Sequence, residues 1–369
     1  MLLQKLGDDS ALLQLPTSKT ESWKYTNLRA LDKAAANFQA GAIANELDAK
    51  LALSAAPTTP LPNSGTSQVI CKTPGVFAEL AASAPVFAHS LGAQQYFYLA
   101  PSASNTIVQQ SQQFTLQAGA HATLLWHHTG APENTFSNFL TQITLAENSE
   151  LTLIRMQLAA NSASLIERTE ISLAAGARVQ VFDINLGALL ARHELHITIN
   201  GAAAHADVIS LSVLNARQHC DTQLVLNHNA ANTTSNTRVK AVADARSRSV
   251  FNGRIYVAKG SDGTDAQLQT NNLLLSDAAE IDTKPELEIH AEDVKCSHGA
   301  TIGQLDENAL FYLRSRGIDA AQARQILTVA FCQELLEAIP DPELRTKLIA
   351  LLTAKLPAAA TAEANKAVL

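Results

Sequence analysis

Two stretches, FTLQAGAHATLLWHH (114–128) and TQITLAENSELTLIRMQL (141–158), are built on one plan. A short run of alternating apolar and polar residues leads to a small turn of Gly, Asn or Ala, and a second such run follows. Alternation with period two marks a strand that buries one face. The segments ERTEISLAAGARVQVFDINLG (167–187) and HELHITINGAAAHADVISLSVL (193–214) repeat the plan. With Gly119, Asn148, Gly176, Gly201 and Asn227 as turn markers, successive intervals are 29, 28, 25 and 26 residues. A period of this size signals stacked units, each burying its face against the next. Helix signals are few between the strands, so the pattern predicts a β-solenoid. A sandwich of β-hairpins, whose strands also alternate, is the competing arrangement.

Outward from the repeats the texture changes on both sides. Residues 1 to about 55 read as helical, with Leu28, Leu31 and Ala35 at helical spacing after the polar stretch ESWKYTNL (21–28). Pro57, Pro60, Pro62 and Gly65 mark a connector, and TPGVFAELAASAPVFAHSLG (73–92) reads as small helices and loops. Beyond Gly299 helix signals return. Asp306 and Asp319 suit N-caps, Gly317 suits a C-terminal stop, and Asp341-Pro342 gives a cap with Pro in the first turn. Ile326, Leu327, Ala330, Phe331, Leu335, Leu336 and Ile339 form one apolar face, able to pack internally, to cap the open end of a solenoid or to dock a partner. The last dozen residues read as a frayed tail. The expected organisation is a helical region with connector over 1–100, a β core over 101–300 and a helical domain over 301–369.

The 369 residues are 47% hydrophobic and 17% charged, which suits a folded globular chain. A net charge of -7 without a Lys/Arg run argues against nucleic acid or an anionic membrane as partner. No apolar run approaches the ~18 residues of a membrane span, and Asp8 and Asp9 interrupt any secretory signal. Cys71, Cys220, Cys296 and Cys332 are widely spaced and form no CxxC pair, as expected of reduced thiols in a soluble cytoplasmic protein.

Chemistry concentrates at Cys296-Ser297-His298-Gly299, where β-type alternation hands over to helical periodicity. On a strand, residues i and i+2 point the same way, about 6.6 Å apart along the chain. Thiolate and imidazole together suit Zn, Cu or an iron-sulfur cluster. A metal centre takes about three or four ligands, and nothing at a standard zinc spacing supplies the rest. The competing view is a structural Cys beside a surface His. His219-Cys220, His193/His196 and His127-His128 lie in strand-like repeats, where a hydrogen-bonded or exposed His is the ordinary case. His290, four residues beyond Glu286, is at most a supporting residue. No P-loop, GxSxG, HExxH or GxGxxG pattern occurs, and KGSDGTD (259–265) lacks the strand-loop-helix setting of a phosphate loop. The acids Asp262, Asp265 and Asp282 offer a second reading, a β-solenoid carbohydrate-active enzyme with paired carboxylates. Against it, Asp262-Gly263 is ordinary turn chemistry.

The segment from Ser247 to Ile318, with KCSHGATIG and FYLRSRGI, resembles the core of the SufB/SufD family of iron-sulfur cluster assembly proteins, on its SufD side. ESWKYTNL (21–28) resembles the matching N-terminal segment. The resemblance implies a mainly β fold: a right-handed parallel β-helix flanked by N-terminal and C-terminal α-helical regions. It implies a non-catalytic scaffold subunit that pairs with SufB through the β-helix, docks the SufC ATPase on its C-terminal helices, and supports iron acquisition. The resemblance leaves both a homodimer and a monomer open for the chain alone. His298 matches the family histidine that faces a SufB cysteine where nascent cluster or iron is held, and Cys296 matches its neighbouring cysteine. The family also links reduced flavin to the complex, and no motif here places a site for it.

Overall fold

The computed structural model describes residues 2–6, 14–41, 43–48, 76–82, 84, 86–91, 94–101, 103–128 and 133–356. The connector prolines, Gly65, Cys71 and the last dozen residues lie outside them. The N-terminal part holds α1 (Leu2–Lys5), α2 (Arg29–Ala34), β1 (Gln39–Ala40), β2 (Ile43–Asp48), α3 (Val76–Ala82), β3 (Val86–Ser90) and β4 (Gln94–Pro101). Strands then follow without an intervening helix. They are β5 (Thr106–Leu116), β6 (His121–His128), β7 (Phe136–Leu145), β8 (Glu150–Gln157), β9 (Ser164–Leu173), β10 (Arg178–Asn185) and β11 (Leu190–Ile199). The series continues with β12 (His205–Leu214), β13 (His219–His228), β14 (Thr234–Ala243), β15 (Arg248–Val257), β16 (Thr264–Leu274), β17 (Glu280–Ile289) and β18 (Val294–Gly303). Three helices close the chain: α4 (Glu307–Ser315), α5 (Ala320–Leu336) and α6 (Pro342–Lys355).

Odd-numbered strands from β5 to β17 stack into one sheet, and even-numbered strands from β4 to β18 into a second. Both sheets are parallel; among the described ladders only β2 with β4 is antiparallel. A sandwich of hairpins requires antiparallel neighbours, so the chain is a parallel β-solenoid of about seven turns with helices flanking it at both ends. Partner residues in the first sheet run Phe136, Ser164, Leu190, His219, Arg248, Glu280, giving steps of 28, 26, 29, 29 and 32 residues.

Left-handed residues mark most corners of the solenoid. One corner carries Gly119, Asn148, Gly176, Ala203, Asn232 and Gly263, and the other Asn105, Asn134, Ala188, Ala216 and Ala245, all with positive φ. Two of the expected turn markers move accordingly. Asn227 sits inside β13, where Asn232 makes the turn. Gly201 lies beside the corner rather than on it, because a Cβ there would meet the backbone nitrogen of Ala175 one turn earlier at 1.9 Å. An L-residue in the left-handed well is disfavoured by about 1–2 kcal/mol, which glycine avoids at a smaller entropic cost. Ala216→Gly at its exposed corner (φ 56) should therefore raise the chemical-denaturation midpoint, by an increment of about 0.5–1 kcal/mol.

The two sheets enclose an apolar core that includes Phe114, Leu124, Leu153, Val181, Val208, Leu226 and Leu268. Their outer faces are covered separately. Trp23, Leu31, Phe38 and Phe77 pack on Ile107, Phe136, Ile166 and Leu190 of the first sheet. Helices α5 and α6 pack on Ile154, Phe182, Ile209 and Leu211 of the second through Cys332, Leu335, Leu336, Ile339, Leu344, Leu348 and Leu352. Of the roles open to the α5 apolar face, internal packing is thus the one taken, and Ile326 (40% exposed) and Ala330 fall off that face. The caps are as expected. The carboxylates of Asp306, Asp319 and Asp341 accept hydrogen bonds from the N–H groups of Asn308, Gln322, and Glu343 with Leu344. Within the first hundred residues the helices share space with strands that join the sheets, an element the helical periodicity did not reveal.

Candidate functional site

Each sheet ends on an edge strand, β17 in one and β18 in the other. Neither edge is paired onward among the described residues, and neither strand has a buried residue. Helices α5 and α6 pack on the outer face of the second sheet, so the last turn is left open.

Cys296 and His298 belong to β18. Their partners on β16 are Ala266 and Leu268, both core residues that face the lumen. Strand alternation therefore turns the thiol and the imidazole to the same inward side of the final turn. Cys296 is half-buried and packs against the core, and partial burial pushes its thiol pKa up. His298 is exposed, with no side-chain hydrogen bond or ion pair among the described residues. One thiol and one imidazole are soft and borderline ligands suited to iron or a cluster, and no group of three His, Cys, Asp or Glu able to hold a metal occurs among the described residues. The last turn places one thiol and one imidazole on the same inward side.

The ESWKYTNL segment reaches this end along the outer face of the first sheet. Lys284 of β17 donates to Glu21 at 2.8 Å. The Arg192 guanidinium lies 3.8 Å from the centre of the Trp23 ring. Thr26 Oγ1 is 3.0 Å from His219 Nε2 and donates to Asp221. A polar run containing a Trp, otherwise unassigned by periodicity, is thus a strap over β11, β13 and β17.

The remaining histidines are separated by the strand alternation. His127 and His128 point to opposite sides of β6. His193 faces the lumen, 3.2 Å from Asp183, while His196 faces outward. Cys220 is buried against Ser212, and burial pushes its thiol up to about 12. His290 is exposed and sits 3.0 Å from Glu288. Inside the solenoid lies a charged network without a sequence signature. Glu167 accepts from Trp126 Nε1 (2.9 Å) and Arg155 Nε (2.6 Å) and lies 2.8 Å from His128 Nε2. Arg155 also donates to Asp183 (2.6 Å) and Asn185 (2.9 Å).

Burial pushes His127, His196 and His228 down to about 4. Burial alone would raise Glu194, but Arg192 and Arg168 hold it down to about 2. For both kinds of group the unfolded chain binds more protons over the interval, so stability rises with pH. The fold should be fully stable above the ordinary histidine value of about 6.5, weaken as pH falls from there towards 4, and lose the carboxylate contribution below about 4.5. Urea midpoints measured from pH 8 to 3 check this; a flat profile between 6.5 and 4 would contradict the buried neutral histidines.

The acids of the carbohydrate-enzyme reading do not converge. Asp282 lies on the outer face of the first sheet and is paired to Arg248 at 2.7 Å. Asp265 is the second residue of β16 in the other sheet, and Asp262 occupies the corner before it, where it accepts the N–H of Glu292. Paired catalytic carboxylates face a common sugar across about 5–9.5 Å, and a carboxylate neutralised by arginine on another face cannot join such a pair. That reading is set aside.

A family model described as SUF system FeS cluster assembly, SufBD core domain, matches residues 98–331 and so includes Cys296 and His298. An iron-sulfur cluster assembly SufBD family protein of Synechocystis is 37% identical over 244 residues, 66% of this chain and 54% of that protein. The iron-sulfur cluster assembly protein SufD of Escherichia coli is 36% identical over 246 residues, 66% of this chain and 58% of that protein. The chloroplastic protein ABCI7 of Arabidopsis thaliana is 28% identical over 234 residues, 62% of this chain and 49% of that protein. The matched segment thus spans little more than half the length of the first two relatives. No helix among the described residues is long and apolar enough to cross a membrane.

Proposed function

Because the chain belongs to the SufBD family of the SUF iron-sulfur cluster assembly system and is SufD-like, we propose that it is a scaffold subunit whose open last turn pairs with SufB. His298, with Cys296 beside it, lends ligands to iron or a nascent cluster at that interface. The cluster is cargo, and the chain contributes position and ligands rather than a reaction of its own. SufC docks on the C-terminal helices and supplies ATP hydrolysis.

The observation that carries the reading is the inward-facing pair Cys296 and His298 on an edge strand with no onward partner among the described residues. An exposed edge strand is a template for pairing with another chain, and a donor pair on it is completed only from across that pairing. The docking surface for SufC has a narrower candidate than the α5 face. Leu335 is 1% exposed in the core, whereas Phe311 (72%) and Tyr312 (57%) stand out from α4. Exposed aromatics of this size are favoured interface anchors. Phe311→Asp with Tyr312→Ser should abolish SufC capture while leaving the unfolding midpoint unchanged. A shifted midpoint would place the pair in the fold instead.

A cysteine ligates as the thiolate, so if Cys296 is a ligand, iron retention should rise with pH as its raised thiol ionises. The test of the assembly reading is the mass of the complex isolated anaerobically after co-expression with SufB and SufC, with iron measured on the same sample. One complex containing all three chains and iron is expected. A chain that elutes alone would sink the reading.

A further inference from the structure

A cavity of about 610 Å³ lies between the N-terminal strap and the second corner column of the solenoid. Its walls differ in character. Leu31, Phe38, Leu189 and Leu190 form an apolar side, and Leu189 is 44% exposed although it is a large aliphatic residue. Asn105 and Asn134 line the early turns of the same corner, and Arg217 lies one turn beyond the Ala188-Leu189 corner. No carboxylate lines the cavity.

The charge at this corner is the telling feature. Arg217 and Arg246 sit at equivalent positions in consecutive turns, since Ala216 and Ala245 are the left-handed corner residues and the N–H of Arg246 donates to the carbonyl of Ala216. Stacked turns are about 4.8 Å apart, so two guanidinium groups project from neighbouring rungs. Both are exposed, and neither has a side-chain hydrogen bond or ion pair among the described residues. Arg248, also in the lining, is already paired to Asp282 and Glu280. In a chain of net charge -7, an unneutralised Arg217 in the lining of a half-apolar cavity, with Arg246 one rung beyond it, amounts to a local anion trap. Cavities of a few hundred Å³ with an apolar wall and a few convergent polar groups are of the size that takes small organic ligands.

We propose that this cavity binds a small organic anion, its phosphate or carboxylate head on Arg217, with Arg246 alongside, and its apolar body against Leu31, Phe38 and Leu189. The site is remote in sequence from β18 and independent of the cluster reading.

Calorimetric titration of the full chain with phenyl phosphate, benzoate and inorganic phosphate tests it. Saturable one-to-one binding of phenyl phosphate or benzoate is expected, with inorganic phosphate weaker. Arg217→Ala should weaken the organic probe about tenfold or more, the range of a lost charged hydrogen bond. Leu189→Ser should weaken it too, and Arg178→Ala on the opposite sheet should not. Arg217 is exposed, so an unchanged unfolding midpoint will accompany the loss. The proposal is overturned if neither organic probe binds saturably, if Arg217→Ala binds as tightly as the parent chain, or if inorganic phosphate binds as tightly as phenyl phosphate.

Discussion

Glu167→Ala is expected to destabilise the solenoid by about 3–5 kcal/mol, the range for removing one partner of a buried ion pair. Glu167 is completely buried, and its carboxylate meets the Trp126 indole, the His128 ring and the Arg155 guanidinium together. Without it, a fully buried cation retains only Asp183 as counter-charge, and an indole N–H loses its acceptor. Both consequences are expensive in a medium of low polarity. Glu167→Gln keeps the shape but removes the charge, and should recover part of the loss by preserving one hydrogen bond. Urea unfolding followed by far-ultraviolet circular dichroism measures both. A loss below about 1 kcal/mol would mean that the network is not held together by this carboxylate.

His298→Ala is expected to leave the isolated chain as stable as before and to remove the cluster from the assembled complex. The first half follows from exposure: the imidazole packs against nothing that its loss would leave empty. The second follows from ligation. Loss of even an outer partner of a metal ligand costs about 10- to 100-fold in affinity, and loss of the ligand itself should cost at least that. Iron and sulfide per complex, measured anaerobically on co-expressed material, should fall accordingly while the complex keeps its mass. Cys296→Ser should give a smaller loss if the thiol only supports the site, and an equal one if it ligates. An unchanged cluster yield with His298→Ala would leave the chain as a structural partner only.

Much of this was legible in the sequence, for reasons that differ by element. The solenoid announced itself because each turn must bury the same face, so Leu153, Val181 and Val208 recur at one position in successive turns. The turn markers were less secure. Alanine serves at Ala188, Ala203, Ala216 and Ala245 where glycine or asparagine is the usual signal, so the count drifted onto Gly201 and Asn227. The helix caps were readable because an Asp before a helix has one local task. The apolar pattern of α5 includes Ile326 and Ala330, which are exposed, and omits Ala323, Thr328 and Cys332, which are buried; a thiol counts little in a hydrophobic pattern although it packs as a small apolar residue.

At the site, the pairing of Cys296 with His298 could be read from a spacing of two, but its place could not. That both side chains turn inward on the last strand, with no further turn above them, depends on where the stacking stops. The network around Glu167 is hidden because each turn puts a different residue type at the same position: Trp126, Arg155 and Asp183 in one sheet and Glu167 and His193 in the other recur at the repeat spacing, but only the folded stack brings their unlike groups together. The same holds for the strap: nothing in ESWKYTNL reveals that Glu21 will meet Lys284.

The central claim is that His298 is a ligand supplied by this chain to iron or a cluster completed by a second subunit. Pulsed electron paramagnetic resonance on the anaerobic complex, reduced and labelled with 15N-histidine in this chain alone, tests it most directly. The account predicts a nitrogen coupling to the cluster that disappears in His298→Ala. A cluster present at parent yield with no such coupling would contradict it.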